Sequence, residues 1–166
     1  MEKILVSACL LGEKVNYLGT DNKVEHTIFD QWQAEGRCVV LCPEVAGGLP
    51  VPRPACEIKG DGSGLAVLKG EAKVVSQTGD NFTQAFLAGA QIALDLCKKY
   101  QIKLAILKAG SPSCGSQKVY NGKFNGSKIE GMGTTAAALS QAGIQCFSEL
   151  RLQQAQDYLQ KLENTA

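Results

Sequence analysis

The sequence predicts an α/β fold with a mainly parallel, Rossmann-like sheet that is flanked by helices and carries a small β-hairpin outside it. Short apolar runs of strand length alternate with segments whose apolar residues recur every three or four positions, a pattern typical of βαβ units. An Asn-Gly pair between two short segments predicts the hairpin. The length of 166 residues suits one domain with a core of its own. We therefore expect residues 1–166 to form a single domain.

The first half of the chain contains two predicted sheet strands, one short helix and a long irregular segment. Continuous apolar runs predict strands over residues 3–8 and 38–42. Apolar residues on one side predict a short helix over residues 27–35, without a recognisable cap. Residues 42–57 carry four of the five prolines, and an irregular segment of this length inside a compact domain is usually functional.

The second half of the chain contains the clearest helix, predicted over residues 81–100 with Asp80 as its N-cap. Two short strands joined at Lys69-Gly70-Glu71 are predicted before this helix, over residues 65–68 and 72–76. A sheet strand follows the helix over residues 103–108. The remaining predicted elements are a hairpin at Asn121-Gly122, a helix over residues 134–142, a strand over residues 144–147 and a terminal helix over residues 152–162.

Charge and hydropathy argue against several classes of protein. A net charge of +1 favours neither nucleic acid nor an anionic membrane as a partner. No apolar run approaches the roughly 18 residues of a membrane span, and the N-terminus lacks the features of a signal peptide. We therefore expect a cytoplasmic protein, in which seven cysteines favour metal binding, catalysis or burial over disulfides. The single histidine, His26, is expected at the surface.

Three cysteines stand where predicted sheet strands end. Cys9 follows the first strand, Cys42 ends the second, and Cys114 lies in a Gly- and Pro-rich loop after the strand at residues 103–108. Ligands of open α/β sheets bind beyond the carboxyl ends of the strands, so these three thiols could converge in one crevice. Their positions alone leave a shared metal site and a coincidence of buried cysteines equally open.

The spacing of these cysteines suits an iron–sulfur cluster better than zinc. Zinc sites usually contain a close pair such as Cys-x-x-Cys, and this chain has none. Single thiolates on separate loops can hold a cluster of several irons. Three such ligands on a four-iron cluster would leave one iron open, and an open iron is a soft Lewis acid that can take a substrate sulfur.

The other four cysteines have simpler interpretations. Cys38 and Cys42 are separated along a strand by about 13 Å, too far to share one compact site, so Cys38 is expected in the core. Cys97 lies on the apolar face of the long helix and Cys146 in a predicted strand, where free cysteine packs as a small hydrophobe. Cys56 lies in the proline-rich segment and stays an open candidate for the site.

Four segments of the chain resemble the thiouracil desulfidase family. They are VSACLLG at residues 6–12, CPE at 42–44, GGLPVPRP at 47–54 and KAGSPSCG at 108–115. The segments occur in the family's order, and the resemblance runs from Cys9 to about Glu149. It implies a [4Fe–4S] cluster held by Cys9, Cys42 and Cys114. It also implies removal of sulfur from thiolated uracil compounds as sulfide, without net redox change.

The chain departs from the family pattern in two places. Many members carry Cys-Arg-Tyr-Asp-Gly where this chain has VNYLG at residues 15–19, so no role for that arginine and aspartate carries over. Cys56 falls where relatives often have alanine, which argues against a fourth cluster ligand. The implied substrate is a small thiolated pyrimidine, for which free base, nucleoside and nucleotide all fit. The oligomeric state is left open.

Four further residues are candidates for the chemistry beside the cluster. Glu44, two residues from Cys42, is expected to act as general base and acid, the alternatives being a surface carboxylate or an acceptor for loop N–H groups. Ser111 is expected to assist catalysis and Ser113 to bind substrate, unless both merely close the turn. Arg53 is expected to bind substrate through its paired N–H groups, or else to pair with Glu57 as part of the structure.

Two other functions stay open at this point. An enzyme that adds sulfur to nucleotides would use similar thiols, but an ATP-binding motif is expected there and the sequence contains none. A metal-binding or redox-sensing module could use the same three cysteines without desulfidase activity. Sulfide release from thiouracil separates the enzyme from the sensor.

Overall fold

The computed structural model describes residues 1–60 and 62–165, and this part of the chain alternates strands with helices. Its strands are β1 (Ile4–Ser7), β2 (Cys38–Leu41), β3 (Cys56–Lys59), β4 (Lys73–Ser76), β5 (Leu104–Ile106), β6 (Lys118–Tyr120), β7 (Lys128–Glu130) and β8 (Gln145–Phe147). Its helices are α1 (Thr27–Ala34), α2 (Pro43–Ala46), α3 (Gly64–Leu68), α4 (Thr83–Tyr100), α5 (Thr134–Gln141) and α6 (Leu152–Asn164). Short 3₁₀ turns follow β1 at Ala8–Leu11 and precede α6 at Glu149–Arg151.

A parallel four-stranded sheet forms the centre of the molecule, in the order β2-β1-β5-β8. Strands β1 and β5 are buried throughout, which explains their continuous apolar sequences. The chain runs from β1 to β2 on one side and then crosses to β5 on the other side of β1. Connections therefore leave β1 and β5 in opposite directions, and a crevice opens at their carboxyl ends. The predicted α/β class and mainly parallel sheet are confirmed.

Helices cover both faces of this sheet because successive side chains of a strand point to opposite sides. Val6 of β1 packs on one face with Trp32 of α1 and Leu159 of α6, all fully or almost fully buried. Leu5 packs on the other face in a second apolar cluster with Ala93 of α4 and residues of α5. The sheet is thus the middle layer of three.

Two small antiparallel sheets lie outside the central one. Strands β3 and β4 pair with each other and bury Ile58 and Val74 against α3 and Phe86 of α4. Strands β6 and β7 pair as the predicted hairpin. However, residues 121–127 connect the two strands, so Asn121-Gly122 does not form the two-residue turn that its sequence predicts.

Two predictions around the β3–β4 sheet are wrong. Residues 65–68, expected as a strand, belong to α3, whose start is capped by the Ser63 hydroxyl accepting the Ala66 N–H at 3.3 Å. The true partner of β4 is β3, which lies at the end of the segment expected to be irregular. A short apolar run suits a buried strand and a buried helix turn equally, so periodicity could not separate them.

The expected helix caps also differ from the structure. Asp80 does not cap α4; instead the Asn81 side chain accepts the Thr83 N–H at 2.9 Å. Helix α1 does have a cap, since exposed His26 accepts the Ile28 N–H on its Nδ1 atom at 3.1 Å. Among residues 1–60 and 62–165, no helix combines the length and the apolar character that crossing a bilayer requires.

Candidate active site

Cys9, Cys42 and Cys114 lie on one cavity at the carboxyl edge of the central sheet. Cys9 stands in the 3₁₀ turn directly after β1, Cys42 directly after β2, and Cys114 in the loop that follows β5. All three line a cavity of about 550 Å³. Strands β2 and β5 are the two neighbours of β1, so the three thiols reach the crevice from adjacent strands. The structure thus brings the three cysteines to one cavity, as their positions at the strand ends led us to expect.

Cys9 and Cys114 are buried, Cys42 is half-buried, and the pKa of each of these three thiols is raised. Burial raises the pKa of Cys114 to about 12, although the hydroxyls of Ser7 and Ser113 oppose this shift. Burial also raises the pKa of Cys9, and the nearby Cys42 thiol adds to the shift. Burial likewise raises the pKa of Cys42. A bound cation is what would convert such thiols to thiolates, because metal ligation competes with the proton.

The arrangement of donors distinguishes a cluster from a single metal ion. A single zinc ion requires each thiolate sulfur about 2.3 Å from one point. In the described part of the chain, no three His, Cys, Asp or Glu side chains converge closely enough to hold one ion. A cluster takes each thiolate on a different iron and so accepts sulfurs that are farther apart. Three thiols around one cavity therefore fit a polynuclear iron–sulfur group better than a mononuclear site.

Glu44 faces the Cys114 loop from the first turn of α2. Its Oε1 accepts the Nε–H of Arg53 at 3.0 Å. Its Oε2 accepts the hydroxyl of Ser113 at 2.6 Å and lies 3.4 Å from the Ser111 hydroxyl. The side chain is 15% exposed, so the alternative of a surface carboxylate does not hold. Both carboxylate oxygens are oriented by named donors on the wall of the cavity.

Helix α2 reaches this position because it packs against α4 through glycines. A Cβ on Gly89 would lie 2.0 Å from the carbonyl oxygen of Pro43. A Cβ on Gly47 would lie equally close, 2.0 Å from the carbonyl oxygen of Ala85. The two backbones therefore touch directly, and no other residue type fits without displacing the turn that carries Glu44.

Arg53 is a buried partner of Glu44 and not of Glu57. Its guanidinium is 4% exposed and donates to Glu44, to the Pro50 carbonyl at 3.2 Å and to the Val15 carbonyl at 2.8 Å. The alternative pairing with Glu57 is wrong, because Glu57 instead accepts the Gly122 N–H at 3.0 Å. Arg53 thus joins the proline-rich segment to the loop after Cys9. Its direct contact with substrate stays a prediction.

Ser111 and Ser113 form a chain of hydroxyls that ends at Glu44. Ser111 Oγ accepts the N–H groups of Ser113 and Cys114 at 3.1 and 3.0 Å, which leaves its own proton for another acceptor. The Ser113 oxygen lies 2.9 Å away, and Ser113 in turn donates to Glu44. Ser113 is 1% exposed, whereas Ser111 is half-buried. Ser111 is therefore the more accessible of the two from the cavity.

Helix α5 holds the Cys114 loop from behind. The Thr134 and Thr135 N–H groups donate to the carbonyls of Pro112 and Ser113, each at 2.9 Å. A Cβ on Gly133 would lie 2.5 Å from the carbonyl carbon of Ser113, so the helix start touches the loop backbone. The loop that presents Cys114 is thus packed on rigid structure.

Sequence reasoning missed Ser7 and Lys108 on the cavity wall, and also Glu149, which contacts Lys108. Ser7 ends β1 and donates its hydroxyl to Cys114 Sγ at 3.3 Å. Lys108 follows β5 and pairs with Glu149 at 3.1 Å. Glu149 also accepts the Ala109 N–H at 2.7 Å. The rule that sites lie at carboxyl ends of strands would have found Ser7, Lys108 and Glu149, since each stands within a few residues of such an end.

The remaining cysteines divide between the cavity and the core. Cys56 lines the cavity, and its thiol, with a pKa raised by burial to about 11, points to the Pro54 carbonyl at 3.5 Å. Cys97 is 2% exposed in the cluster under α4, as expected. Cys38 and Cys146 are half-buried and pack against the two core clusters. All seven cysteines are free thiols.

Comparison with known proteins shows the family to which this chain belongs. The model of the 2-thiouracil desulfurase family matches residues 4–151. The uncharacterised protein YbbK of Bacillus subtilis (strain 168) is 43% identical over 149 residues, which cover 90% of this chain and 97% of YbbK. The solved structure of the [4Fe–4S]-dependent thiouracil desulfidase TudS is 45% identical and superposes with a TM-score of 0.88, covering 96% of this chain and 99% of that one. This chain belongs to the 2-thiouracil desulfurase family.

Proposed function

We propose that this protein is a [4Fe–4S]-dependent thiouracil desulfidase. The reaction replaces the thiocarbonyl sulfur of the substrate by oxygen from water and releases sulfide, without net redox change. The observation that carries the proposal is the meeting of Cys9, Cys42 and Cys114 with Glu44 on one cavity. The 45% identity to TudS over almost the whole chain supports it.

Cys9, Cys42 and Cys114 are the residues that would hold the cluster. When bound, a three-cysteine cluster supplies an open iron, a soft Lewis acid that attracts the thiocarbonyl sulfur and polarises the carbon–sulfur bond. The protein contributes the frame, since each of these three cysteines follows a different strand of the central sheet.

Glu44 is proposed to move the protons of the reaction. Its Oε2 takes one proton from the attacking water and gives it to the departing sulfur, which leaves as HS⁻. The other proton of the water passes to solvent as the new carbonyl forms, so the carboxylate ends the cycle unchanged. Arg53 on Oε1 and Ser113 on Oε2 hold the carboxylate in one orientation during this exchange. Arg53 acts mainly by positioning Glu44, since the contacts with Glu44, Pro50 and Val15 already use three of its N–H groups.

The serines connect the cavity to Glu44. Ser111 is half-buried, and its hydroxyl is proposed to contact water or the oxygen that replaces the sulfur of the substrate. Ser113 lies between Ser111 and Glu44 and is hydrogen-bonded to both, so it orients the two side chains relative to each other. Ser113 is proposed to assist substrate binding indirectly, through its hydrogen bonds with Ser111 and Glu44.

The substrate is proposed to be a small thiolated pyrimidine in a cytoplasmic enzyme. A cavity of about 550 Å³ lies within the ordinary size range of small-molecule sites and accommodates a base, a nucleoside or a nucleotide. A net charge of +1 and seven free thiols support a small substrate and a reducing compartment.

We also propose that residues 1–166 form one domain, because α4 contributes to the core under the central sheet and to that under β3–β4.

Anaerobic preparation tests the proposed function directly. The protein reconstituted with iron and sulfide is expected to bind four irons as one cluster. With thiouracil it is expected to release sulfide while the thiocarbonyl absorbance disappears. A cluster that forms without sulfide release would favour the sensor, and sulfur gained by uracil compounds in the presence of ATP would favour the thiolation enzyme. Either result would overturn the proposal.

A further inference from the structure

Ser7 occupies a bridging position between the strand that precedes Cys9 and the loop that carries Cys114. It is the last residue of β1, is 3% exposed and lies on the cavity wall. Its hydroxyl oxygen accepts the Lys108 N–H at 3.0 Å. Its hydroxyl proton points to Cys114 Sγ, with an oxygen–sulfur distance of 3.3 Å.

Ser7 is a stronger side-chain donor to Cys114 Sγ than Ser113 is, because each hydroxyl has only one proton to donate. A serine hydroxyl has one proton and two lone pairs. The Lys108 N–H occupies a lone pair of Ser7 and leaves the proton for sulfur. Ser113 also lies near Cys114 Sγ, at 3.6 Å, but its only proton is directed to Glu44 at 2.6 Å.

We propose that Ser7 is a positioning residue for the cluster, and that its hydroxyl donates a hydrogen bond to the Cys114 thiolate when that thiolate binds iron. This inference rests on the proposed function, because it requires the cluster. A donor to a ligand sulfur offsets negative charge, favours the reduced cluster and so raises its reduction potential. The same hydroxyl ties β1 to the start of the Cys114 loop, which holds two of the three ligand cysteines at a constant separation.

The test compares Ser7→Ala with the wild-type protein and with Ser76→Ala. Ser76 is a suitable control because it is 2% exposed and its hydroxyl also accepts a backbone N–H, that of Asp80 at 3.1 Å, away from the cavity. All three proteins are reconstituted anaerobically. We expect Ser7→Ala to show a more negative cluster potential. In competition with a chelator it is expected to bind iron about tenfold more weakly, the lower end of the usual effect of residues that support metal ligands. Ser76→Ala should match the wild type in both measurements.

Two further measurements keep the inference testable if Ser7→Ala does not fold. Ser7→Thr keeps the hydroxyl and is expected to retain the wild-type potential. In wild-type protein, the iron–sulfur stretching bands in resonance Raman spectra should shift when water is replaced by D₂O, because the hydroxyl proton exchanges. Unshifted bands, or equal potentials in Ser7→Ala and wild type, would overturn the role of Ser7.

Failure of this inference is distinguishable from failure of the proposed function. Wild-type protein that releases sulfide while Ser7→Ala keeps the wild-type potential refutes only the role of Ser7. A shifted potential in Ser7→Ala together with a wild-type protein that releases no sulfide refutes only the desulfidase activity. Wild-type protein that takes up no cluster refutes both.

Discussion

Ser113 donates its hydroxyl proton to Glu44 Oε2 at 2.6 Å, although 69 positions separate the two residues in the sequence. This bond joins the loop of Cys114 to α2, which begins at Pro43, directly after Cys42. The elements that carry Cys42 and Cys114 are therefore joined through Glu44, the proposed proton carrier, so a substitution on one side of this bond should affect the other side.

Glu44→Gln should separate proton transfer from cluster binding. Glutamine keeps the size and hydrogen-bonding capacity of the side chain but removes the base. We expect a normal cluster spectrum and a fall in desulfidation rate of about 10²–10⁴-fold, the usual contribution of a general acid–base group. Glu71→Gln, which changes an exposed carboxylate, serves as the control. Loss of the cluster in Glu44→Gln would instead give Glu44 a role in holding iron.

Ser113→Ala should slow turnover without removing the cluster. Hydrogen bonds to charged groups are worth about 1.5–3 kcal/mol, so kcat is expected to fall by about 10- to 100-fold. Ser116→Ala is the matched control in the same loop, because Ser116 is buried and its hydroxyl has no partner among the described residues. Equal kcat values for the two variants would contradict the orienting role of Ser113.

Alanine at any one of Cys9, Cys42 or Cys114 should abolish iron binding and desulfidation together, because each thiolate is expected to bind a different iron. Cys56→Ala is the control, since Cys56 lines the same cavity but is not an expected ligand. Iron content per chain and the visible spectrum check both statements. A Cys56→Ala protein without iron would show that the cluster has a fourth cysteine ligand.

The stability of the metal-free protein should fall in alkaline solution. Burial raises the pKa of the Cys97 thiol from 9.0 to about 12, so between these values the folded state holds a proton that the unfolded chain has released. Unfolding is then favoured as the pH rises through that window. Cys97→Ala removes this contribution. Urea unfolding at about pH 7 and pH 10 should show a smaller loss of stability in the variant, and equal losses would contradict the assignment.

Much of the site could be predicted because its determinants are local. Buried strands of a parallel sheet have continuous apolar sequences, and such runs place the ends of β1, β2 and β5 to within a few residues. Cys9, Cys42 and Cys114 follow those ends. The carboxyl-end rule then brings them to one crevice without knowledge of the strand order.

The partners of Arg53 and of β4 could not be predicted in the same way, because they depend on long-range contacts. The pairing of Arg53 with Glu44 instead of Glu57 depends on how α2 packs on α4, and both acidic partners stand close to Arg53 in sequence. Strand β4 pairs with β3 because α3 occupies the segment between them, and a five-residue apolar helix has no periodicity that sets it apart from a strand.

The sequence by itself determined the class of the sheet, the three cysteines at its edge and the family, because each of these follows from contiguous residues. Only the tertiary structure decided which side chains contact Cys114 and Glu44. Ser7 contacts Cys114, and Arg53 and Ser113 contact Glu44, through hydrogen bonds between different elements. Such bonds depend on distances of a few tenths of an ångström, and those distances are set by the packing of whole elements.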